Sequence, residues 1–353
     1  MSAGVEQQES VNDRALQKIK ASRKASVAPD ELFSALHDGD RSALSRAITL
    51  IESSLPEHQQ QAQEIIRLAL PHTSGSFRIG ITGVPGAGKS TFIETFGNFL
   101  ISTGRKIAVL AIDPSSERSG GSIMGDKTRM ETLSSNNNAF IRPSPSGGNL
   151  GGVARKTRES IVLCEAAGYD TVIIETVGVG QSETTVHSMV DFFLLLMVPG
   201  AGDELQGMKR GIMEMADMIL INKADGDLME VANRSKAEYA NALHLFPPPP
   251  SGWIPKVSTC SAMENKGIAD TWKTITEYWS FTRENGFFQS RRAEQSRYWM
   301  SQTLQEGLRL RFFNNPEVRQ EMNKLEELIK RDQISSFEAA TQLLNKYFPG
   351  ENK

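Results

Sequence analysis

Apolar residues change their spacing twice along the 353-residue chain. Between about residues 31 and 70 they recur at helical intervals, as in Leu44, Ile48, Ile51 and Leu55, which predicts amphipathic helices. From Phe77 onward they form short runs rich in Val and Ile, separated by helix-length segments; the runs are FRIGIT, KIAVLAID, DTVIIETVG, DFFLLLMVP, DMILINKAD and IPKVSTCSA. Runs that are apolar nearly throughout are typical of parallel strands covered by helices on both faces. The middle of the chain is therefore predicted to be α/β, with a mostly parallel central sheet.

A helical pattern returns after Gly286, where four apolar residues lie four positions apart: Met300, Leu304, Leu308 and Phe312. This C-terminal part either packs on its own domain or forms a dimer interface. Residues 246–252, FPPPPSG, are predicted to be a stiff surface connection between a helix and a strand.

Composition excludes several classes of protein. The 39% hydrophobic and 23% charged residues are ordinary for a globular protein. A net charge of -3 gives no general attraction to nucleic acid or anionic lipid. The two cysteines, Cys164 and Cys260, are too few for a disulfide framework and agree with a reducing compartment. The longest apolar stretch is far shorter than a membrane-spanning helix, and the N-terminus has no apolar signal region. We therefore expect a cytoplasmic protein without membrane insertion or a nucleic-acid partner.

A phosphate-binding loop follows the first predicted strand. Residues 83–90, GVPGAGKS, match GxxxxGK[ST] in full, and a predicted helix comes next. Glycines let consecutive backbone N–H groups point inward, and the helix N-terminus adds the positive end of its dipole. The Lys89 ammonium is suited to the β and γ oxygens, and the Ser90 hydroxyl to Mg²⁺. The predicted phosphate-binding residues are Gly83, Val84, Pro85, Gly86, Ala87, Gly88, Lys89, Ser90 and Thr91.

A second motif selects the base. Asn222, Lys223 and Asp225 form an NKxD sequence directly after the strand MILI. A carboxylate there accepts two hydrogen bonds from the guanine N1–H and 2-amino group, a donor pair that adenine lacks. A second candidate base loop follows and contains Ser261, Ala262 and Met263. The nucleotide is therefore predicted to be GTP or GDP.

Carboxylates at predicted strand ends are candidates for the metal and the catalytic step. Asp113 closes KIAVLAID and is followed by a polar, glycine-containing loop of the kind that responds to a γ-phosphate. Asp126 lies at the far end of that loop and either reaches the metal or caps a helix. Glu175 stands where most GTPases have the Asp of DxxG, and the N–H of Gly178 is placed for the γ-phosphate. The predicted metal ligands are Ser90, Asp113, Asp126 and Glu175.

The residue that activates the attacking water is not evident. Val179 occupies the position of the water-orienting glutamine of small signalling GTPases, so intrinsic hydrolysis is expected to be slow. Gln181 and Glu183 are nearby polar residues that a partner could move into place. We predict Lys89, Asp113, Glu175 and Gln181 as the catalytic set.

Seven segments together resemble the methylmalonyl-CoA mutase-associated GTPases, of the same P-loop GTPase class as the signal-recognition-particle proteins. They are GVPGAGKSTFIE, AIDPSSERSGGSIMGDKTRM, FIRPSPSGGNLGG, LCEAAGYDTVIIETVGVGQSE, LQGMKRGIMEMAD, NKADGD and TCSAMENKGI. The resemblance covers roughly residues 30–350. Bacterial members of this family were once labelled lysine/arginine/ornithine transport ATPases.

The resemblance implies a function and a domain organisation. It implies a homodimer held partly by a C-terminal helical arm, and a chaperone whose GTP binding and hydrolysis gate adenosylcobalamin loading and protect a B12-dependent methylmalonyl-CoA mutase. We predict a mobile tail (residues 1–28), a helical region (29–75), a GTPase domain (76–285) and a dimerisation arm (286–353). Which mutase is served is left open.

Three alternatives come from other functional classes. A P-loop small-molecule kinase shares the phosphate loop but needs no guanine-binding Asp225. A nickel-insertion GTPase calls for a His or Cys cluster, whereas the five histidines are scattered and the two cysteines are distant. An accessory nucleotidase of basic amino-acid transport needs a membrane partner, which the sequence does not exclude.

Overall fold

The computed structural model describes residues 27–73, 75–112, 130–143, 150–176, 182–200 and 210–348. The described residues form one seven-stranded sheet of order β3-β2-β4-β1-β5-β6-β7, with every neighbouring pair parallel. The strands are β1 (Phe77–Gly83), β2 (Ile107–Ile112), β3 (Ala139–Arg142), β4 (Thr171–Thr176), β5 (Phe192–Met197), β6 (Met218–Ile221) and β7 (Lys256–Thr259). This confirms the predicted α/β fold with a parallel sheet. All carboxyl ends of the strands meet at one edge, where ligands bind in open α/β sheets.

All six predicted runs contain strands, and burial explains the apolar character of the central ones. Every residue of β4 and of β5 is buried, so both faces of the central strands are covered. The edge strand β3 was not predicted. It has only four residues and lies between an Asn-rich turn and Pro143. It forms by pairing with β2, a non-local contact that its own pattern does not reveal.

Helices cover both faces of the sheet, and further helices lie at each end of the chain. The α-helices among the described residues are α1 (Pro29–His37), α2 (Arg41–Glu52), α3 (Pro56–Ala69), α4 (Lys89–Ser102), α5 (Glu131–Ser135), α6 (Leu150–Ala166), α7 (Ser182–His187), α8 (Arg210–Glu214), α9 (Met229–Leu243), α10 (Ile268–Glu284), α11 (Phe287–Asn314), α12 (Pro316–Lys330) and α13 (Ser336–Tyr347). Short 3₁₀ turns occupy Leu70–His72 and Gly226–Leu228.

The N-terminal helices α1 to α3 pack on one another, and each contacts α6. Leu44, Ile48 and Ile51 are buried as their spacing predicts. Leu55 is not part of this stripe, which corrects the prediction. Helix α2 ends at Glu52, and Leu55 is the extended, exposed residue before Pro56 at the first turn of α3. A residue that precedes proline is disfavoured in the helical conformation.

The C-terminal helices leave apolar surface exposed. Helix α11 buries Gln295 and Trp299 against the segment that leads into β5. Met300, Leu304 and Leu308 lie on the exposed surface of the same helix. The tetraproline segment connects α9 with β7 on the surface, as predicted. Within the described ranges, no helix has both the length and the apolar character needed to cross a membrane.

Candidate functional site

The phosphate loop lies between β1 and α4, at the carboxyl edge of the sheet. Two of its glycines are required by close approach or by backbone conformation. A Cβ on Gly83 would lie 2.2 Å from the Leu196 carbonyl oxygen of β5. Gly88 caps α4 in the left-handed region with φ of +79°, and a Cβ there would lie 2.9 Å from Asn222 Nδ2. The backbone therefore curls at the start of α4 in a way that a side chain would obstruct.

Lys89, the first residue of α4, is folded back onto this loop. Its Nζ donates to the carbonyl oxygen of Gly83 at 2.9 Å and to that of Val84 at 3.3 Å. Burial lowers the pKa of Lys89, and the nearby carboxylates of Glu175 and Glu183 oppose that shift. The ammonium is thus largely removed from water and held next to buried negative charge.

Two side-chain oxygen atoms, from Ser90 and Glu175, face each other beside the phosphate loop. Ser90 Oγ donates to Oε1 of Glu175 at 3.5 Å, and Glu175 is buried near the end of β4. The next residue, Thr176, donates its hydroxyl to Thr82 Oγ1 of β1 at 2.8 Å. Because β4 pairs with β1, the sheet register brings the carboxylate next to the first turn of α4.

Asn222 connects the phosphate loop with the candidate base loop. Its Nδ2 donates to the Ala87 carbonyl oxygen at 2.8 Å. Its Oδ1 accepts from the backbone N–H of Ala262 at 3.0 Å and from the Cys260 thiol at 3.4 Å. Burial raises the pKa of Cys260 to about 12, so this thiol is a neutral donor. One buried amide therefore fixes the spacing between the two loops.

Asp225 lies next to Ser261, whose hydroxyl donates to Oδ2 of Asp225 and accepts from the N–H of Glu264 at 3.2 Å. Lys223, in the left-handed region with φ of +61°, is exposed. Met263 is 88% exposed. Of the predicted base residues, Ser261 therefore contacts the Asp225 carboxylate directly, and this carboxylate is partly accessible.

Five residues singled out in the sequence lie outside the described residues: Asp113, Asp126, Gly178, Val179 and Gln181. The other predicted residues are brought together at one edge of the sheet. Pattern analysis missed Thr95 of α4, whose hydroxyl donates to the Ala262 carbonyl oxygen at 2.9 Å. Thr95 follows Thr91 by one helical turn of α4, and this spacing is the signal in the sequence that could have pointed to it. Within the described ranges, no three His, Cys, Asp or Glu residues form a group that could hold a metal ion.

A phosphate loop at the N-terminus of α4, at the carboxyl edge of a parallel sheet, defines a P-loop nucleotide-binding protein. The family described as "Methylmalonyl Co-A mutase-associated GTPase MeaB" matches residues 44–317. The chain belongs to this family. It is a GTP hydrolase, and it binds guanine nucleotide.

Relatives with high identity cover most of the chain. A Caulobacter vibrioides protein, described as a candidate GTPase, is 52% identical over 315 residues, covering 89% of this chain and 96% of its own length. The "Methylmalonic aciduria type A homolog, mitochondrial" of Mus musculus is 46% identical, covering 90% of this chain and 79% of its own length. The crystal structure of a protein named LAO/AO transport system kinase superposes with a TM-score of 0.73 at 37% identity, covering 92% of this chain and 99% of that one.

Proposed function

We propose that this GTPase is a Mg²⁺-dependent chaperone that gates adenosylcobalamin loading into a B12-dependent methylmalonyl-CoA mutase and protects that enzyme. The observation that carries the proposal is the family match across residues 44–317, in a family whose description names association with this mutase. The relative in Mus musculus, named for methylmalonic aciduria, supports the same partner. Two buried cysteines without a disulfide agree with a cytoplasmic location.

We assign phosphate binding to residues 83–91 and guanine binding to the loops at Asp225 and Ser261. The Asn222 bridge between the two loops supports this division, because it sets the distance between the phosphate cradle and the base. The N–H of Gly178 is proposed for the γ-phosphate. Gln181 is proposed to orient the attacking water once a partner has repositioned it.

Ser90 and Glu175 offer hard oxygen donors side by side, which is the donor chemistry that Mg²⁺ prefers. The proposed ligands are these two residues together with Asp113 and Asp126, which are predicted from the sequence and lie outside the described residues. When bound, Mg²⁺ would neutralise charge on the β and γ phosphates. Glu175 then holds its oxygens at the end of β4, and Lys89 supplies a second positive charge.

Glu175→Gln is expected to lower Mg²⁺-dependent GTP turnover by about a hundredfold, because it removes a carboxylate from the proposed metal side. GDP affinity should change by less than about threefold, since the hydrogen bonds of Lys89 to the loop carbonyls and of Ser261 to Asp225 do not involve Glu175. Phosphate release and titration with a fluorescent GDP analogue measure the two quantities separately. Asp113→Asn and Asp126→Asn should show the same separation.

Glu57→Gln, on the exposed surface of α3, is the matched control and should leave both quantities at the wild-type value. Equal losses of turnover and GDP affinity in Glu175→Gln would contradict a role on the metal side. Such a result would indicate that the substitution disturbs the loop itself.

Turnover of the protein alone is expected to be slow, on the order of a few per minute or less, because Val179 replaces a water-orienting glutamine. Adding a B12-dependent methylmalonyl-CoA mutase should raise it by about tenfold to a hundredfold. This is less than the roughly 10³–10⁵ that an inserted arginine gives, since the partner is proposed to reposition residues of this chain. Phosphate release with apo and cobalamin-loaded mutase is the measurement.

A cobalamin-independent acyl-CoA enzyme serves as the control and should leave turnover unchanged. By linkage, the nucleotide state that the mutase favours must bind the mutase more tightly by the same factor. Unchanged turnover together with no nucleotide-dependent complex, for both forms of the mutase, would show that the proposed partner is wrong.

A second copy of the chain is proposed to cover the C-terminal apolar surface. Phe312 of α11 packs on Tyr347 of α13 with ring centroids 5.1 Å apart, so these helices form one unit. Large apolar side chains nevertheless lie exposed on this unit: Leu308, Phe313, Phe337, Leu344 and Phe348. Apolar patches of this kind mark interaction sites.

Phe337→Asp is expected to convert a dimer into a monomer, because it places a charge on the most exposed residue of that surface. Sedimentation velocity measures the change. Leu245→Asp, at another strongly exposed position beside the tetraproline segment, is the control and should leave the dimer intact. A wild-type protein that is monomeric at micromolar concentration would contradict the proposal.

A further inference from the structure

A cavity of about 620 Å³ lies between α3, α6 and α11. It is next to Arg78 at the start of β1 and Met189 just before β5, so it is at the edge of the sheet opposite to the phosphate loop. Its volume falls within the range of sites that hold small metabolites. Part of its wall is apolar, and Leu70, Val162 and Leu304 contribute to that part.

Two of the three arginines in the wall are neutralised by the protein. Arg78 forms two hydrogen bonds to the buried carboxylate of Glu165, at 2.7 and 3.0 Å. Arg292 forms two to the buried carboxylate of Asp191, at 2.9 and 2.7 Å. These pairs are bidentate and use both carboxylate oxygens.

Arg158 is different. Its guanidinium carbon lies 4.4 Å from the ring centroid of Trp299, and no carboxylate of the described residues is within ion-pair distance of it. The neighbouring carboxylate of Glu159 accepts instead from Arg155 at 3.0 Å. Burial lowers the pKa of Arg158 to about 10, with Glu159 opposing the shift. A partly desolvated cation therefore faces the cavity, and none of the described residues supplies it with an acceptor.

Gln295 leaves a second polar group unmatched in the same wall. Its Nε2 donates to the Val190 carbonyl oxygen at 2.8 Å, which fixes the orientation of the amide. Its Oε1 is buried and has no donor among the described residues. This oxygen is an acceptor and calls for a donor, which a carboxylate does not supply, so an anion in the cavity belongs on Arg158 and not on Gln295.

We propose that this cavity binds a small organic acid, with its carboxylate on the Arg158 guanidinium and its hydrocarbon part against Trp299 and Leu304. An anion there supplies an acceptor that the described residues do not give Arg158, in the charge-assisted geometry that guanidinium groups favour. The apolar wall selects an acid with a short aliphatic chain over inorganic anions. The site is separate from the nucleotide site and does not depend on the proposed partner.

Hexanoate is the probe, and Trp299 is the reporter. Titration of the full-length protein with hexanoate should quench tryptophan fluorescence to saturation, also when GDP is present in excess. Hexanol, which has the same chain without the charge, should bind at least about tenfold more weakly. Arg158→Gln should weaken hexanoate binding by about tenfold or more and leave hexanol binding unchanged.

Three further variants keep the test independent of folding and of dimer formation. Leu304→Glu, at an exposed position of the wall, should weaken hexanoate binding by repulsion. Arg297→Gln, on the exposed surface of α11, should bind hexanoate as the wild type does, and so should Phe337→Asp.

Several results would overturn the proposal. Equal affinity for hexanoate and hexanol would show an apolar cavity only, and loss of binding with GDP would place the acid in the phosphate loop. Tighter hexanoate binding by Phe337→Asp would show that a second copy of the chain occupies the cavity. No saturable quenching of the wild type would exclude the site.

Discussion

Lys89→Ala is expected to lower the affinity for GTP and for GDP by about a hundredfold or more. The ammonium donates to the carbonyl oxygens of Gly83 and Val84, so it is already positioned at the loop where phosphate is proposed to bind. Charge-assisted hydrogen bonds of this kind are worth about 1.5–3 kcal/mol each, and two of them account for the loss. Titration with a fluorescent GDP analogue measures it.

The fold should survive this substitution. Burial lowers the pKa of Lys89, so folding disfavours its charged form, and its removal relieves that cost. The free energy of unfolding in urea should therefore change by no more than about 1 kcal/mol. Lys273→Ala, on the exposed surface of α10, is the control for both quantities. A Lys89→Ala protein with wild-type nucleotide affinity would show that the loop does not hold phosphate through this side chain.

The central strands could be predicted from the sequence because they are buried on both faces. Such strands are apolar nearly throughout, and their runs are therefore visible without any knowledge of their partners. The edge strand β7 was also predicted, although it is only partly buried and its run contains polar residues. The edge strand β3 lacks this signal, since its four residues are ordered by pairing with β2. The end of α2 was misplaced for a local reason: Pro56 fixes the preceding Leu55 outside the helix, and the apolar spacing alone does not show this.

The phosphate loop and the base loop were predicted as two separate motifs. The contact that connects them could not be predicted from the sequence. Asn222 is 135 positions from Ala87 and 40 from Ala262, yet it bonds to both. The position of Glu183 is likewise non-local. It lies on α7, buried, where its carboxylate acts on Lys89. Motif spacing identifies which residues carry the chemistry, whereas the sheet register decides which of them are neighbours. The roles of Asp113 and Asp126 stay predictions from the sequence.

Asp225→Asn is expected to shift base preference from GTP toward xanthosine triphosphate. The carboxylate is proposed to accept from the guanine N1–H and 2-amino group, and an amide donates where xanthine presents its 2-oxo group. Mismatched polar groups then penalise guanine by roughly 1–3 kcal/mol, which corresponds to a change of about tenfold to a hundredfold in the affinity ratio. Competition of the two triphosphates against a fluorescent GDP analogue measures that ratio.

The local structure favours a clean result for this substitution. The Ser261 hydroxyl donates to Oδ2 of Asp225, and the amide oxygen of asparagine can accept the same bond, so the loop keeps its conformation. Asp227→Asn, two positions further on and exposed, removes the same charge without reaching the base and should leave the ratio unchanged. If both variants shift the ratio equally, the effect is one of local charge and Asp225 does not bind the base. If Asp225→Asn alone shifts it, preference for guanine resides in the hydrogen bonds of one carboxylate.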